Sequence, residues 1–260
     1  MGDHTMNVPA HQDDNVLPAQ PLFNRLVRFA HDIPPRLCVR DDNAGTEATH
    51  IQLLTDVLAF RRQIWTYLST DVRRALAARE EVYIAVLAAG SYEYTVAMLA
   101  TLALGAAVVP MTVALPPPEA LYFVTKSRAA AILVSSAVTR LAVALEKLVK
   151  ENDVRSTFIC IPIAPALFTS PVLRPNQIFV SSDRYIDPNA PGVVIFTSGT
   201  TGPPKGAVMR LGFTYDTALA VADHYNLGTS DTMLHVLPVH HATGIGINFF
   251  PCLKIGRAHV

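Results

Sequence analysis

Residues 193–206 read Val-Val-Ile-Phe-Thr-Ser-Gly-Thr-Thr-Gly-Pro-Pro-Lys-Gly, and this stretch decides the fold of the chain. The β-branched and aromatic run at residues 193–196 predicts a short buried strand. The run passes into a loop that is rich in hydroxyl and glycine residues and ends at one lysine. Glycines let a backbone approach an anion closely, and successive loop N–H groups form an anion-binding concavity. The stretch therefore predicts a strand followed by a polyphosphate-binding loop.

The side chains of this loop supply the donors that phosphate oxygens need. Lys205 provides a mobile positive charge. The other candidate ligands are hydroxyl and glycine residues: Thr197, Ser198, Gly199, Thr200, Thr201 and Gly202. The spacing differs from that of a P-loop NTPase, which needs glycine, four residues, and then glycine-lysine-serine/threonine. An ordinary surface turn between two strands is the alternative interpretation.

The loop resembles, almost residue for residue, the phosphate-binding motif of the adenylate-forming superfamily, which includes acyl-CoA synthetases, luciferases and peptide-synthetase adenylation domains. Residues 234–244, Leu-His-Val-Leu-Pro-Val-His-His-Ala-Thr-Gly, are similar to the next motif of that family, a strand followed by Pro-x-x-His-x-x-Gly. The resemblance places His241 near the acyl pocket and makes it the candidate catalytic residue. It also predicts a strand before Pro238 and a helix after Gly244.

The histidines of this second motif allow other interpretations. An ordinary loop pair is the simplest one for His240 and His241. A metal site made from His235, His240 and His241 would usually need further Cys, Asp or Glu ligands, and none lies close in sequence. We therefore assign no metal ligand.

The upstream segments follow the order of the same family. Strands are predicted at residues 82–88, 107–111, 131–134 and 157–163, and helices at 22–30, 92–104 and 116–126. Residues 51–76 also show helical spacing, and Arg61 falls outside the apolar stripe, which predicts a solvated side chain. Alternating strands and helices predict an α/β fold with mostly parallel sheets. The resemblance implies the N-terminal part of the adenylate-forming fold, layered αβαβα and truncated.

The resemblance also suggests how the chain is organised. We expect a disordered leader at residues 1–20, a partial AMP-binding (adenylation) domain at 21–254, and a non-native tail at 255–260 that reads like a translated sequencing adapter. Whole members of the superfamily are longer. The C-terminal domain with its catalytic lysine is expected to be absent, so this chain by itself is expected to be inactive.

Composition narrows the functional class. The chain has 21 basic and 21 acidic residues. It contains no cluster of basic residues of the kind that binds nucleic acid, so we expect no nucleic-acid partner. Three widely spaced cysteines favour a reducing compartment, hence an intracellular protein, cytoplasmic or mitochondrial. Residues 94–118 are uncharged and long enough to span a bilayer. Gly105 and Pro110 interrupt them, which favours a buried helix and strand over a transmembrane helix.

The resemblance implies an ATP-dependent acid–thiol ligase. Its expected cofactors are ATP, Mg²⁺ and coenzyme A, and its acid is a small-molecule carboxylate. Malonate is the suggested acid, because residues 231–241 resemble the malonyl-CoA synthetase-like branch. Two alternatives stay open: another adenylate-forming ligase, such as an aryl-CoA ligase or a peptide-synthetase adenylation domain, and a short non-catalytic nucleotide-binding protein.

Overall fold

The structure is a computed structural model that describes residues 15–152, 157–197, 202–256 and 258–259. Its strands are β1 (Val16–Pro18), β2 (Leu37–Asp41), β3 (Thr46–Thr49), β4 (Tyr83–Leu87), β5 (Ala107–Met111), β6 (Ala131–Val134), β7 (Ile159–Pro162), β8 (Phe179–Ser181), β9 (Pro191–Thr197), β10 (Lys205–Arg210) and β11 (Ala258–His259). Its α-helices are α1 (Pro21–Ala30), α2 (His50–Tyr67), α3 (Thr70–Ala77), α4 (Tyr92–Leu104), α5 (Pro117–Ser127), α6 (Thr139–Asn152), α7 (Phe213–His224) and α8 (Phe250–Ile255). A π-helix, Gly244–Phe249, leads directly into α8.

A six-stranded sheet in the order β10-β9-β5-β4-β6-β7 forms the centre of the protein. Five of its strands are parallel, and only β10 runs antiparallel to its neighbour. The predicted strands at residues 82–88, 107–111, 131–134, 157–163 and 193–196 are confirmed, with small shifts at their ends. Parallel strands are joined by crossover helices, so their carboxyl ends all meet at one edge.

Helices cover both faces of this sheet. Side chains of β4 alternate, so that Ile84 and Val86 face the core shared with α2 and α4, whereas Ala85 and Leu87 face the core shared with α5 and α6. The crossover α4 therefore lies on one face and α5 on the other, as in doubly wound sheets. The predicted α/β architecture with a mostly parallel sheet is confirmed.

The helical segment at residues 51–76 differs from the prediction in two ways. It is divided into α2 and α3, and Ser69 caps α3 by accepting a hydrogen bond from the backbone N–H of Val72. The prediction for Arg61 was wrong, since its side chain is fully buried and Nη1 donates to the Val16 carbonyl at 2.5 Å. The apolar stripe misled here because α2 is buried on more than one face, where a guanidinium finds backbone acceptors.

The ends of the predicted domain also differ from the expected boundaries. Residues 16–18, placed in the leader by the sequence, form β1 and pair in parallel with β8; residues 1–14 lie outside the described part of the chain. At the other end, Ile255 is buried in α8 and Gly256 ends that helix against the ring of Phe29. Ile255 and Gly256, the first two residues of the predicted tail, thus pack against the domain, and β11 pairs with β2. That the tail is non-native stays a prediction.

The uncharged stretch at residues 94–118 contains most of α4, all of β5 and the first residues of α5. In the described residues, no helix has both the length and the apolar character needed to cross a bilayer. The apolar character of this stretch is explained by burial, because α4 and β5 are almost entirely inaccessible to solvent.

The buried histidine at the start of α2, His50, should make the stability of the fold sensitive to acid. It is 1% exposed and packs on Phe29, with ring centroids 5.0 Å apart. Burial lowers its pKa from 6.5 to about 4, and a contact with the Arg36 backbone opposes this shift only in part. Because the folded pKa lies below the unfolded one, the stability is present above pH 6.5 and is lost as the pH falls towards 4.

Because of His50, we expect the free energy of unfolding to fall by about 2 kcal/mol when the pH is lowered from 7 to 5. His50→Phe should remove that part of the slope in urea titrations across this pH range. An equal slope in wild type and His50→Phe would contradict the assignment.

Candidate active site

The predicted phosphate loop connects the antiparallel strands β9 and β10. Thr197 ends β9, Lys205 begins β10, and the two residues pair directly. The Thr197 hydroxyl donates to the Lys205 carbonyl at 3.4 Å, and both side chains are exposed. Gly202 has the positive φ of 107° predicted for a loop glycine. Ser198, Gly199, Thr200 and Thr201 lie outside the described residues, so their role stays a prediction.

Helix α5 holds the base of this loop. The hydroxyl of Tyr122 donates to the carbonyl of Pro204 at 2.9 Å. The neighbouring Phe123 stacks on Phe196 of β9, with ring centroids 4.1 Å apart and planes at 8°. These contacts fix both strands of the hairpin where the loop begins and ends. Tyr122 thus has a structural role in positioning Lys205, which directly follows Pro204.

Tyr122→Phe tests this positioning. The change removes the hydrogen bond to Pro204 and keeps the ring, so we expect a small loss of stability of about 1 kcal/mol. In the full-length protein, the KM for ATP should rise about 3- to 10-fold, because the loop is held less firmly. Tyr185→Phe is the control, since Tyr185 is exposed and lies near Pro191 and Arg210, at the end of the hairpin opposite the loop. Equal KM values for the two variants would exclude a positioning role.

The carboxyl edge of the sheet brings the loop close to two other chain segments. The register that pairs Val108 of β5 with Val193 of β9 carries Thr112 and Thr197 to the same edge. The end of β4 lies beside that of β5, since Leu87 pairs with Met111. In open α/β sheets, ligands bind outside the carboxyl ends of the strands, where the strand order reverses. The phosphate loop therefore lies at the place that the topology favours for a ligand.

The second motif lies at the same edge and contains a close backbone contact. A Cβ atom on Gly244 would lie 2.1 Å from the Pro238 carbonyl oxygen, so only glycine fits there. The Pro238 carbonyl also accepts from the His241 N–H at 3.0 Å. Buried Tyr94 of α4 donates to the Val239 carbonyl at 2.6 Å and ties the motif to the sheet. These contacts explain the spacing of the proline, the histidine and the glycine.

The helix predicted after Gly244 is confirmed as the π-helix and α8, but the strand predicted before Pro238 is wrong. Within the described residues, Leu234 makes only an isolated bridge and no strand follows it. Leu234 and Val236 are exposed, whereas His235 between them is buried. The alternating pattern is therefore present without a neighbouring strand to pair with, and pairing is what a strand requires.

The two histidines of the motif have different environments. His241 is exposed, and its Nδ1 accepts from the Thr243 N–H at 3.3 Å and lies 3.1 Å from the Thr243 hydroxyl. An amide only donates, so the neutral ring carries its proton on Nε2, which is left as a donor. Burial lowers the pKa of His240, and a proton on the neighbouring His241 would lower it further. This arrangement suits hydrogen bonding to an anionic group better than proton abstraction.

A cleft of about 500 Å³ lies at the carboxyl edge of the sheet. It is lined by residues that follow β4 and β5, including Gly90 and Thr112, and by the second motif. Asp42 and Asn43, in the β2–β3 loop, also line it. The sequence analysis did not select these two residues. The only local signal is the turn composition of Asp-Asn-Ala-Gly, which predicts a loop and no ligand.

The described residues contain no group of three or more His, Cys, Asp or Glu side chains arranged to hold a metal ion. His235 is buried beneath the cleft wall, and burial lowers its pKa. His235 and His240 both line the cleft with the apolar residues around them. The donors at this edge of the sheet are hydroxyls, amides and a lysine, which suit phosphate oxygens.

Comparison with known proteins agrees with this geometry. A family model described as "AMP-binding enzyme" matches residues 71–260. The acyl-CoA ligase oryP of Aspergillus oryzae is 32% identical over 203 residues, which cover 77% of this chain and 34% of that protein. The mitochondrial malonate–CoA ligase ACSF3 of Homo sapiens is 29% identical over 174 residues, which cover 67% of this chain and 28% of that protein. The chain spans about a third of the length of these relatives.

Solved structures share the fold at lower identity. Apo MatB from Rhodopseudomonas palustris superposes with a TM-score of 0.67 at 20% identity, covering 92% of this chain and 44% of that one. The o-succinylbenzoate CoA synthetase MenE from Bacillus subtilis, in complex with an acyl-adenylate, superposes with a TM-score of 0.67 at 22% identity. The match covers 91% of this chain and 43% of that one. The family match spans well over half of the sequence and includes the phosphate-loop hairpin and the second motif. The chain belongs to the AMP-binding enzyme family.

Proposed function

We propose that this chain carries the phosphate-binding loop and part of the acid-binding cleft of an ATP-dependent acyl-CoA synthetase. One observation carries the proposal: the Thr197–Lys205 hairpin opens at the carboxyl edge of a parallel sheet, next to a cleft that is large enough for an organic acid. A polyphosphate held by the loop would present its α-phosphate to an acid that occupies the cleft. The family membership supports the same reaction class.

The reaction has two steps. In the first, a carboxylate oxygen of the acid attacks the α-phosphorus of ATP, and the bond from that phosphorus to the oxygen bridging it to the β-phosphate breaks. Pyrophosphate leaves, and an acyl-adenylate forms. In the second, the thiol of coenzyme A loses its proton, its sulfur attacks the acyl carbonyl carbon, and AMP leaves. Because the carboxylate oxygen departs with AMP, ATP converts a poor leaving group into a good one.

The residues of this chain act mainly on the first step. Lys205 and the loop hydroxyls, Thr197 among them, would hold the β- and γ-phosphates and stabilise the charge that develops on pyrophosphate. His241, with its free Nε2–H, would donate to an oxygen of the reacting carboxylate or of the adenylate. Donors that are already in place do not have to reorganise during the reaction.

Mg²⁺ would enter as the complex with ATP and would neutralise phosphate charge there. Protein sites for Mg²⁺ usually add one or two carboxylates to the substrate phosphates. The described residues show no acidic cluster beside the hairpin, so we assign Mg²⁺ to no side chain of this chain.

Several acids could be the substrate of such a ligase. Malonate is one candidate, because relatives of this chain are named malonate–CoA ligases. An aryl-CoA ligase or an adenylation domain would carry out the same first step with a different acid. A non-catalytic nucleotide-binding protein would bind ATP without forming pyrophosphate.

Acid-dependent exchange of labelled pyrophosphate into ATP tests the proposal. The full-length protein that contains this sequence should support exchange with at least one acid from a panel of malonate, fatty acids and aromatic acids. It should then release AMP and form a thioester when coenzyme A is added. ATP binding by calorimetry without exchange for any acid would reject the ligase and support the non-catalytic alternative.

A further inference from the structure

The β2–β3 loop forms one wall of the cleft and belongs to neither of the motifs that identified the site. Its Asp42 and Asn43 line the cleft together with residues of the second motif. Because loops that line a cleft on a rigid scaffold commonly determine what binds there, this wall is a place where ligand selection can occur.

Buried Asp41 holds this loop in place. The residue is 2% exposed, and its Oδ2 accepts from the N–H of Tyr92, the first residue of α4, at 2.9 Å. Its Oδ1 accepts from the N–H of Ala44 at 3.0 Å. A carboxylate at a helix N-terminus is stabilised by the helix dipole and the free N–H groups there. The Asp42 and Asn43 side chains are therefore carried by an anchored turn.

The cleft and the start of the phosphate loop lie at the same edge of the sheet. Thr112 lines the cleft at the end of β5, and the adjacent strand β9 ends at Thr197. An acid whose carboxylate reacts at a phosphate beside Thr197 would therefore extend its chain past Thr112. Small residues such as Ala88 and Gly90 leave room in the cleft, and the residues that the second motif contributes to its lining are mainly apolar.

We propose that Asp42 and Asn43 contact the end of the acid remote from its reacting carboxylate, and that they select acids with an uncharged hydrogen-bonding group over acids with a second carboxylate. This inference rests on the proposed function. A carboxylate only accepts hydrogen bonds, so Asp42 pairs with a hydroxyl or amide donor and repels a second carboxylate. An amide such as Asn43 serves either as a donor or as an acceptor.

The other titratable groups of the cleft do not cancel this preference. His235 and His240 also line the cleft, and burial lowers the pKa of both, so their neutral forms are favoured near pH 7. Among the described residues that line the cleft, Asp42 is the one with a formal charge. The cleft thus favours an amphipathic acid with a single carboxylate. Malonate, which appears in the names of some relatives, has two.

Pyrophosphate exchange with matched acids tests this selection in the full-length protein. The acids are pairs of equal carbon number, one with a terminal hydroxyl and one with a terminal carboxylate. Wild type should prefer the hydroxy acid, and Asp42→Asn should reduce that preference about 3- to 10-fold, mainly by lowering the KM for the dicarboxylic acid. Glu47→Gln, which removes one negative charge from the same hairpin outside the cleft, should leave the preference unchanged.

Each other result overturns the inference in a recognisable way. If wild type supports exchange and Asp42→Asn has the wild-type preference, the loop does not select the acid, and the proposed function still stands. If Asp42→Asn leaves exchange unchanged and, in a separate assay of thioester formation, changes only the KM for coenzyme A, the cleft holds the thiol substrate instead. If no acid supports exchange in wild type, the proposed function fails and the inference fails with it.

Discussion

Lys205→Ala should reduce acid-dependent pyrophosphate exchange in the full-length protein by at least about 100-fold. The lysine begins β10 opposite Thr197, and its side chain is exposed at the mouth of the hairpin. Loss of one preorganised charged donor to a developing anion typically lowers the rate by two to three orders of magnitude, about 3–4 kcal/mol. The melting temperature should change little, because an exposed side chain contributes little packing.

Two further variants separate charge from shape. Lys205→Arg keeps the charge but replaces a compact ammonium with a planar guanidinium, so partial exchange activity is expected. Lys147→Ala is the matched control, because Lys147 is 76% exposed on α6 and lies away from the sheet edge. Wild-type exchange in Lys205→Ala, with the protein folded, would show that this lysine does not hold phosphate.

The central sheet could be predicted from the sequence because its signals are local. Strand β5 and helix α4 occur where apolar runs are bounded by Gly105 and by the prolines that open α5. Each signal lies within a few residues of the element that it predicts, and burial reinforces it. These elements have the predicted residues almost without change.

Features that depend on distant contacts could not be predicted in this way. Arg61 is buried where the Val16 carbonyl, from β1, accepts a hydrogen bond from its Nη1. The stretch before Pro238 has a strand-like pattern, but in the described part of the chain it finds only one bridging contact. In both cases the deciding partner lies elsewhere in the chain, and neither periodicity nor charge indicates its position.

The candidate site shows the same division. The ends of the phosphate loop and His241 follow from motifs that are continuous in sequence. The wall formed by Asp42 and Asn43 depends on the Asp41 side chain meeting the N-terminus of α4, which only the folded chain shows. The phosphate-binding role of the loop therefore stays a prediction from sequence, whereas the proposal for Asp42 and Asn43 could be made only from the folded chain.

Gly244→Ala should lower the free energy of unfolding by about 3 kcal/mol or more, the largest loss expected among the variants proposed for this protein. The new Cβ would lie 2.1 Å from the Pro238 carbonyl oxygen and 2.8 Å from its carbon. Backbone atoms cannot rotate away as a flexible side chain can, so the Pro238 turn or the start of the π-helix must move. Either movement would displace His241, whose N–H bonds to that same carbonyl.

Gly246→Ala is a close control, because it lies two residues further along the same π-helix. Its new Cβ would meet the Thr217 methyl group at 3.5 Å, which is an ordinary van der Waals contact. Since alanine favours helical structure over glycine by about 1 kcal/mol, this variant should be neutral or slightly stabilising. Urea titrations of both variants measure the difference directly. Equal stabilities would mean that Pro238 does not pack on Gly244, and the structural explanation of the Pro-x-x-His-x-x-Gly spacing would then be wrong.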